Sequence, residues 1–151
     1  MITPNPPAFK PSFATETVWD VGLAATGEAG EGRKLTVGRE GDWLPEHLLL
    51  LAAESCHMST FLALTADAGV PVLGYVSSGR LHATEDPSQA PSIVVTPCVV
   101  CSDQDRSRVV RLAEQARRES VVARALGGRL ILELDVRADT GRHPGDQGGG
   151  S

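Results

Sequence analysis

The segment from Pro45 to Asp67 constrains the fold more than any other part of this sequence. Pro45 suits the first turn of a helix, where its missing N–H would have no partner, and no glycine or proline follows until Gly69. Apolar residues occur on nearly every side of this segment, a pattern typical of a helix inside a protein rather than on its surface. The sequence therefore predicts one central, buried helix.

Alternating patterns before and after that helix predict strands. The predicted strands are Glu16 to Ala25, Arg33 to Val37, Val70 to Ala83, Ile93 to Cys101 and Leu130 to Val136, and a second helix follows the Ser102 and Asp105 capping box as far as Leu126. The order is β-β-α-β-β-α-β. Because the strands come in pairs, we expect an α+β fold with a mainly antiparallel sheet.

Composition bounds the organisation of the chain. With 151 residues, 41% of them hydrophobic, one domain can form a core without disulfides or metals. We expect an extended proline-rich arm over 1–14, the domain over 15–137 and a disordered tail over 138–151. Neither a secretory signal nor a membrane span is expected, which favours the cytoplasm.

The net charge and the cysteine content argue against several classes of function for this chain. The net charge of -5 argues against binding to nucleic acid or to a membrane surface. The three cysteines are odd in number and irregularly spaced, which predicts reduced thiols rather than a disulfide framework. We expect no cofactor and no metal.

Cys56, at the middle of the predicted helix, is the strongest candidate for chemistry. Its neighbours at helical spacing are mostly small, among them Ala52, Ala53 and Thr60, so a substrate or another backbone could approach closely. A cysteine in such a helix is most often a small apolar residue that fills space. Reactivity would require an arginine or a hydrogen-bond donor that stabilises the thiolate.

The helix sequence resembles the OsmC/Ohr family of organic hydroperoxide reductases. The matching residues are Pro45-Glu46-His47-Leu48, the pair Ala52-Ala53, and Cys56 ten positions after Glu46. The resemblance, supported by the element order, implies an intertwined homodimer with its sites at the interface. It also implies a thiol peroxidase in which Cys56 attacks the O–O bond and becomes a sulfenic acid, while a glutamate and an arginine orient the reactants.

The resemblance gives Glu46 as the glutamate and leaves two arginines to consider. Arg39 stands where OsmC-like members keep theirs, and Arg33 is the nearest residue to the hairpin position of Ohr-like members; we favour Arg39. Ten residues along a helix rise about 15 Å, so Glu46 and Cys56 cannot meet within one straight helix. Either the helix is broken between them or Glu46 comes from a second subunit.

The chain departs from the family at the second, resolving cysteine, because Ser120 occupies the matching position. A serine cannot condense with a sulfenic acid to form a disulfide. Cys101 is a substitute to test, since it precedes the helix cap at Ser102, where a helix dipole can lower a thiol pKa. Cys98, three residues earlier, should point to the opposite face of its strand.

Three functions remain open from the sequence. The first is a homodimeric, cysteine-dependent reductase of organic hydroperoxides that uses one cysteine and an external thiol or dithiol. The second is a non-catalytic dimer of the same fold that binds a small ligand or acts in regulation. The third is a thiol-disulfide or zinc protein built on Cys98 and Cys101, with His57 or His82 as further ligands, although the expected zinc spacing is missing.

Overall fold

The computed structural model describes residues 13–139, and the chain forms two compact units that divide after Pro45. The predicted arm over 1–14 falls almost wholly outside the described residues, and so does the predicted tail, except that Ala138 ends a strand and Asp139 follows it. The single-domain count stays a prediction.

The first unit is an antiparallel sheet of three strands, β1 (Thr15–Val21), β2 (Ala24–Ala29) and β3 (Arg33–Gly38), in that spatial order. The prediction of two strands here was wrong. Gly22 adopts a φ of 58° and turns the chain inside the first predicted strand. The Leu23 N–H then donates to the Glu40 carboxylate at 2.7 Å, which fixes this turn.

The two faces of this sheet differ in chemistry. One face carries polar contacts, including the hydrogen bond from Thr26 to Asp20 at 2.8 Å. The other face is apolar, because the register places Trp19 next to Ala25 and Ala25 next to Val37. Trp19 on this apolar face is 73% exposed in the described part of the chain. An apolar sheet face normally packs against another layer, so this one lacks its partner within the first unit.

The helix α1 (Pro45–Asp67) belongs to the second unit from Glu46 onward, and the predicted helix is confirmed. Four residues at intervals of four are buried and form a single stripe: Ala53, His57, Phe61 and Thr65. Within one chain, 22% of the most apolar window of α1 is buried, and the all-round apolarity of the helix leads us to expect that a dimer covers further surface. In length and mean hydropathy α1 also meets the criterion for a membrane span, contrary to the sequence-based expectation, although core helices meet it too.

The second sheet contains β4 (Gly74–His82), β5 (Ser92–Cys101), β6 (Leu130–Leu132) and β7 (Asp135–Ala138). The β4 strand is antiparallel to β5, whereas β6 and β7 pair with the other side of β5 in parallel. The last predicted strand is therefore two short strands.

Pro97 lies in the middle of β5, a strand that is paired on both sides. It pairs with Ser77 of β4 on one side. On the other side β6 ends opposite Val95 and β7 begins opposite Cys98, so no parallel partner faces Pro97. A residue without an N–H fits at this gap because the ladder is already interrupted there.

Two further helices cover the sheet, α2 (Arg106–Glu119) and α3 (Val121–Leu126). The predicted capping box does not form, because the Ser102 hydroxyl donates to the Asp105 side chain at 2.7 Å and a short 3₁₀ turn precedes α2. The buried face of α2 joins Phe61 and Val99 in one apolar cluster, and α3 joins a second one around Val95. The α+β class is confirmed.

Candidate functional site

Cys56 lies at the middle of α1, half-buried, with its sulfur against the junction of α2 and α3. The Ser120 hydroxyl donates a hydrogen bond to Cys56 Sγ at an O···S distance of 3.0 Å. Ser120 stands between α2 and α3 and is 1% exposed. The residue that sequence reasoning placed at the resolving position is thus in direct contact with the candidate nucleophile.

His57, next to Cys56 in sequence, belongs to a different environment. Its Nε2 lies 3.0 Å from the carbonyl oxygen of Ala113, which can only accept, so Nε2 carries the proton. The Tyr75 hydroxyl then donates to Nδ1 at 3.1 Å. Burial lowers the pKa of His57, which favours the neutral ring. Both nitrogens are committed to these partners, which leaves His57 without a free nitrogen to act as a base toward Cys56.

Tyr75 and the Ala113 carbonyl are members of this network that sequence reasoning missed. Tyr75 is the only tyrosine of the chain, and a lone aromatic residue with a polar tip was the available signal. Its ring packs against Phe61 with centroids 5.8 Å apart. Burial raises the pKa of Tyr75 to about 12, which keeps its hydroxyl a donor at any ordinary pH.

The other two cysteines point away from each other. Cys101 is fully buried among the core residues that surround Phe61. Burial raises the pKa of the Cys101 thiol, and the nearby carboxylate of Asp105 adds to this effect. The expectation that the following helix lowers this pKa was therefore wrong. Cys98 is half-buried and lies on the other face of β5, opposite Val76 of β4, as the strand alternation predicted.

The predicted partners of Cys56 occupy exposed positions. Glu46 lies in the first turn of α1, which is unbroken from Pro45 to Asp67, so within one chain it stays about 15 Å along the axis from Cys56. Arg39 and Arg33 are exposed residues of the first unit. Arg33 forms an ion pair with Glu31 at 2.7 Å. The roles of Arg39 and Glu46 stay predictions.

Metal ligands are not grouped in the described part of the chain. Over residues 13–139 there is no cluster of three or more histidine, cysteine, aspartate or glutamate side chains that could hold a metal ion. A zinc site built on Cys98 and Cys101 would also need both thiols on one face of β5, and they lie on opposite faces.

The family model described as "OsmC-like protein" matches residues 38–135. The chain belongs to the OsmC-like family. No curated protein matches this sequence.

Solved structures show the same fold. The chain is similar to an OsmC-like protein of unknown function from Vibrio cholerae, with 18% identity, a TM-score of 0.71, and coverage of 83% of this chain and 99% of that one. It is also similar to an OsmC-like protein from Mycoplasma pneumoniae, with 10% identity, a TM-score of 0.73, and coverage of 86% and 99%. The organic hydroperoxide resistance protein OhrB of Bacillus subtilis gives 17% identity, a TM-score of 0.61, and coverage of 83% and 98%.

Proposed function

We propose that this protein is a thiol-dependent peroxidase that reduces organic hydroperoxides, with Cys56 as its nucleophile. The observation that carries the proposal is the half-buried Cys56 thiol with a hydrogen-bond donor, Ser120, 3.0 Å from its sulfur. Membership in the OsmC-like family supports it, as does the fold shared with a protein named for organic hydroperoxide resistance.

The first step of the proposed reaction oxidises sulfur by two electrons. The Cys56 thiolate attacks the terminal oxygen of the hydroperoxide, an S–O bond forms and the O–O bond breaks. The leaving alkoxide takes a proton and departs as the alcohol, and Cys56 is left as a sulfenic acid. The hydroperoxide is reduced by the same two electrons.

The second step needs an external thiol, because Ser120 cannot supply one. That thiol condenses with the sulfenic acid, which releases water and leaves a mixed disulfide on Cys56. A second thiol, or the second sulfur of a dithiol, attacks the mixed disulfide and returns the Cys56 thiolate. Cys101 does not substitute for the external thiol, because it is fully buried in the core around Phe61. The reducing thiols that this cycle consumes fit a cytoplasmic location.

Arg39 and Glu46 complete the proposed site. A guanidinium stabilises a thiolate and can bind the peroxide oxygens at the same time, and a carboxylate orients the guanidinium through bidentate hydrogen bonds. Because α1 is unbroken, we assign Glu46 to the Cys56 site of a second copy of the chain.

A homodimer is therefore part of the proposal, and exposed apolar surface supports it. On α1 the exposed large side chains include Leu51, Met58 and Leu62, and on the first sheet they include Trp19 and Leu35. On each of these two elements the exposed apolar residues form the kind of surface that marks protein interfaces. A second copy of the same chain is the partner that a closed dimer requires.

The test is the consumption of cumene hydroperoxide in the presence of excess dithiothreitol. We expect turnover by the wild type and none above the uncatalysed rate by Cys56→Ser. Cys101→Ser is the matched control, because it removes a thiol of the same chain without touching the proposed site, and it should keep turnover wherever it remains folded. Turnover by Cys56→Ser equal to that of the wild type would overturn the role of Cys56, and consumption by the wild type at only the uncatalysed rate would leave a non-catalytic protein of the same fold.

A further inference from the structure

We propose that Ser120 is a positioning residue, whose hydroxyl donates a hydrogen bond that holds the Cys56 thiolate in place. The serine at the expected position of a second cysteine would then take part in the reaction. The inference deepens the proposed function and rests on Cys56 being the reactive thiol. It follows from how the serine is held, from which way its proton must point, and from the charge that the sulfur acquires.

The backbone of Ser120 is fixed on both sides. Its N–H donates to the Ala116 carbonyl at 2.8 Å, which ends α2, and its own carbonyl accepts from the Arg124 N–H at 2.9 Å, which begins α3. The residue is also 1% exposed, so its side chain is shielded from bulk water. Ser120 is thus a rigid point at the junction of two helices, and the sulfur of Cys56 rests against it.

The hydroxyl has one proton, and the hydrogen bonds around it indicate where that proton points. The Ala123 N–H approaches the hydroxyl oxygen at 3.4 Å and occupies an acceptor position. The proton is then directed to Cys56 Sγ at 3.0 Å. Donation from the amide also polarises the hydroxyl and makes it a better donor to the sulfur.

A donor of this kind favours the thiolate over the thiol. Hydrogen bonds to charged groups are about twice as strong as those between neutral groups. The bond therefore increases the share of thiolate at neutral pH, and it also makes each thiolate a weaker nucleophile, because a stabilised anion attacks more slowly. The two effects have opposite signs, and they dominate at different pH values.

The test is the rate at which iodoacetamide alkylates Cys56 between pH 6 and pH 10. Trypsin cleaves after Arg39 and Arg80, so Cys56 lies in a peptide of its own, and Cys98 and Cys101 share the peptide 81–106. Mass spectrometry of the Cys56 peptide therefore reports on the alkylation of this thiol alone in the folded protein.

We expect Ser120→Ala to slow alkylation of Cys56 about threefold at pH 7, because a roughly tenfold smaller share of thiolate outweighs a roughly threefold more nucleophilic thiolate. At pH 10, where the thiolate is formed in both proteins, the variant should react up to about threefold faster because its thiolate is more nucleophilic. A crossing of the two rate–pH curves is the signature of the role, since a purely structural defect would not reverse its sign with pH.

Two variants serve as controls. Ser120→Thr keeps the hydroxyl and should restore the wild-type curve. Ser59→Ala removes a hydroxyl from α1 that donates to the Ser55 carbonyl and not to Cys56, so it should leave the curve unchanged. Superimposed curves for Ser120→Ala and the wild type would overturn the proposal.

A second variant keeps the proposal testable if Ser120→Ala does not fold. With Ser120→Cys, one equivalent of cumene hydroperoxide should form a disulfide between positions 56 and 120 within one chain, because these side chains are already in contact. Its absence in a folded protein whose Cys56 has been oxidised to the sulfenic acid would contradict the positioning. Alkylation needs no hydroperoxide, so crossing curves without hydroperoxide turnover would reject the proposed function and retain the role of Ser120.

Discussion

Phe61 and Leu62 are neighbours on α1 and lie in opposite surroundings. Phe61 is 0% exposed and packs against His57 and Tyr75, whereas Leu62 is 38% exposed in the described chain. Both are large and apolar, so hydropathy alone does not distinguish them. The difference shows that the apolar residues of α1 have two tasks, one in the core of the second unit and one on a surface that we propose to be covered by a second copy.

The largest effect is expected on the buried side of α1. Phe61→Ala should lower the free energy of unfolding by about 3 to 5 kcal/mol, because it removes a ring from a core whose neighbours are fixed by hydrogen bonds. Urea unfolding followed by circular dichroism measures this loss. A loss below about 1 kcal/mol would show that Phe61 is not a core residue.

A smaller effect, on dimerisation rather than on folding, is expected from a substitution on the exposed side of α1. Leu62→Glu should raise the dissociation constant of the dimer. The free energy of dimerisation should become about 3 kcal/mol less favourable, because the new carboxylate is left unpaired in the interface. Analytical ultracentrifugation over a dilution series measures it. Val110→Glu is the matched control, since Val110 is an exposed apolar residue of α2 outside the proposed interface. A dimer unaffected by Leu62→Glu would contradict the assignment of this side.

The hydrogen bond from Tyr75 to His57 should contribute less than the Phe61 ring. Tyr75→Phe keeps the ring against Phe61 but leaves Nδ1 of the buried His57 without a donor. We expect the free energy of unfolding to fall by about 1 to 3 kcal/mol, the cost of a buried unsatisfied acceptor. An unchanged urea midpoint would mean that water or another group replaces the tyrosine hydroxyl.

The smallest effect is a dependence of stability on pH. The pKa of His57 is lowered in the folded protein, so as pH falls below about 6.5 the unfolded chain binds a proton that folded His57 does not. Stability should therefore decrease as pH falls from 7.5 to 5.5. His57→Gln should lose less over this range when urea unfolding is compared at both pH values. Parallel losses in the two proteins would exclude His57 as the cause.

The fold could be predicted in part. The limits of α1 followed from Pro45 and from the absence of breakers before Gly69, because these are local signals. The three strands of the first unit could not be predicted from local signals, since the turn at Gly22 depends on a positive φ and on the distant Glu40 carboxylate. The central position of Pro97 depends on a gap between β6 and β7, which no local pattern in β5 reveals.

The sequence supplied the proposed nucleophile but not its contacts. Cys56 was found from the resemblance of the helix sequence, and Ser120 from its place in the same resemblance. Their contact spans 64 positions of sequence and depends on how α3 meets α1. Cys101 was misjudged because proximity to a helix start in sequence does not reveal burial, which raises the thiol pKa instead.

The central claim is that Cys56, and neither of the other cysteines, reacts with the hydroperoxide. The most direct measurement treats the protein with one equivalent of cumene hydroperoxide, traps sulfenic acid with dimedone, and compares the tryptic peptide of Cys56 with the peptide that holds Cys98 and Cys101. The account predicts dimedone on the Cys56 peptide alone. Dimedone on the other peptide, or on neither, with the fold intact, would contradict it.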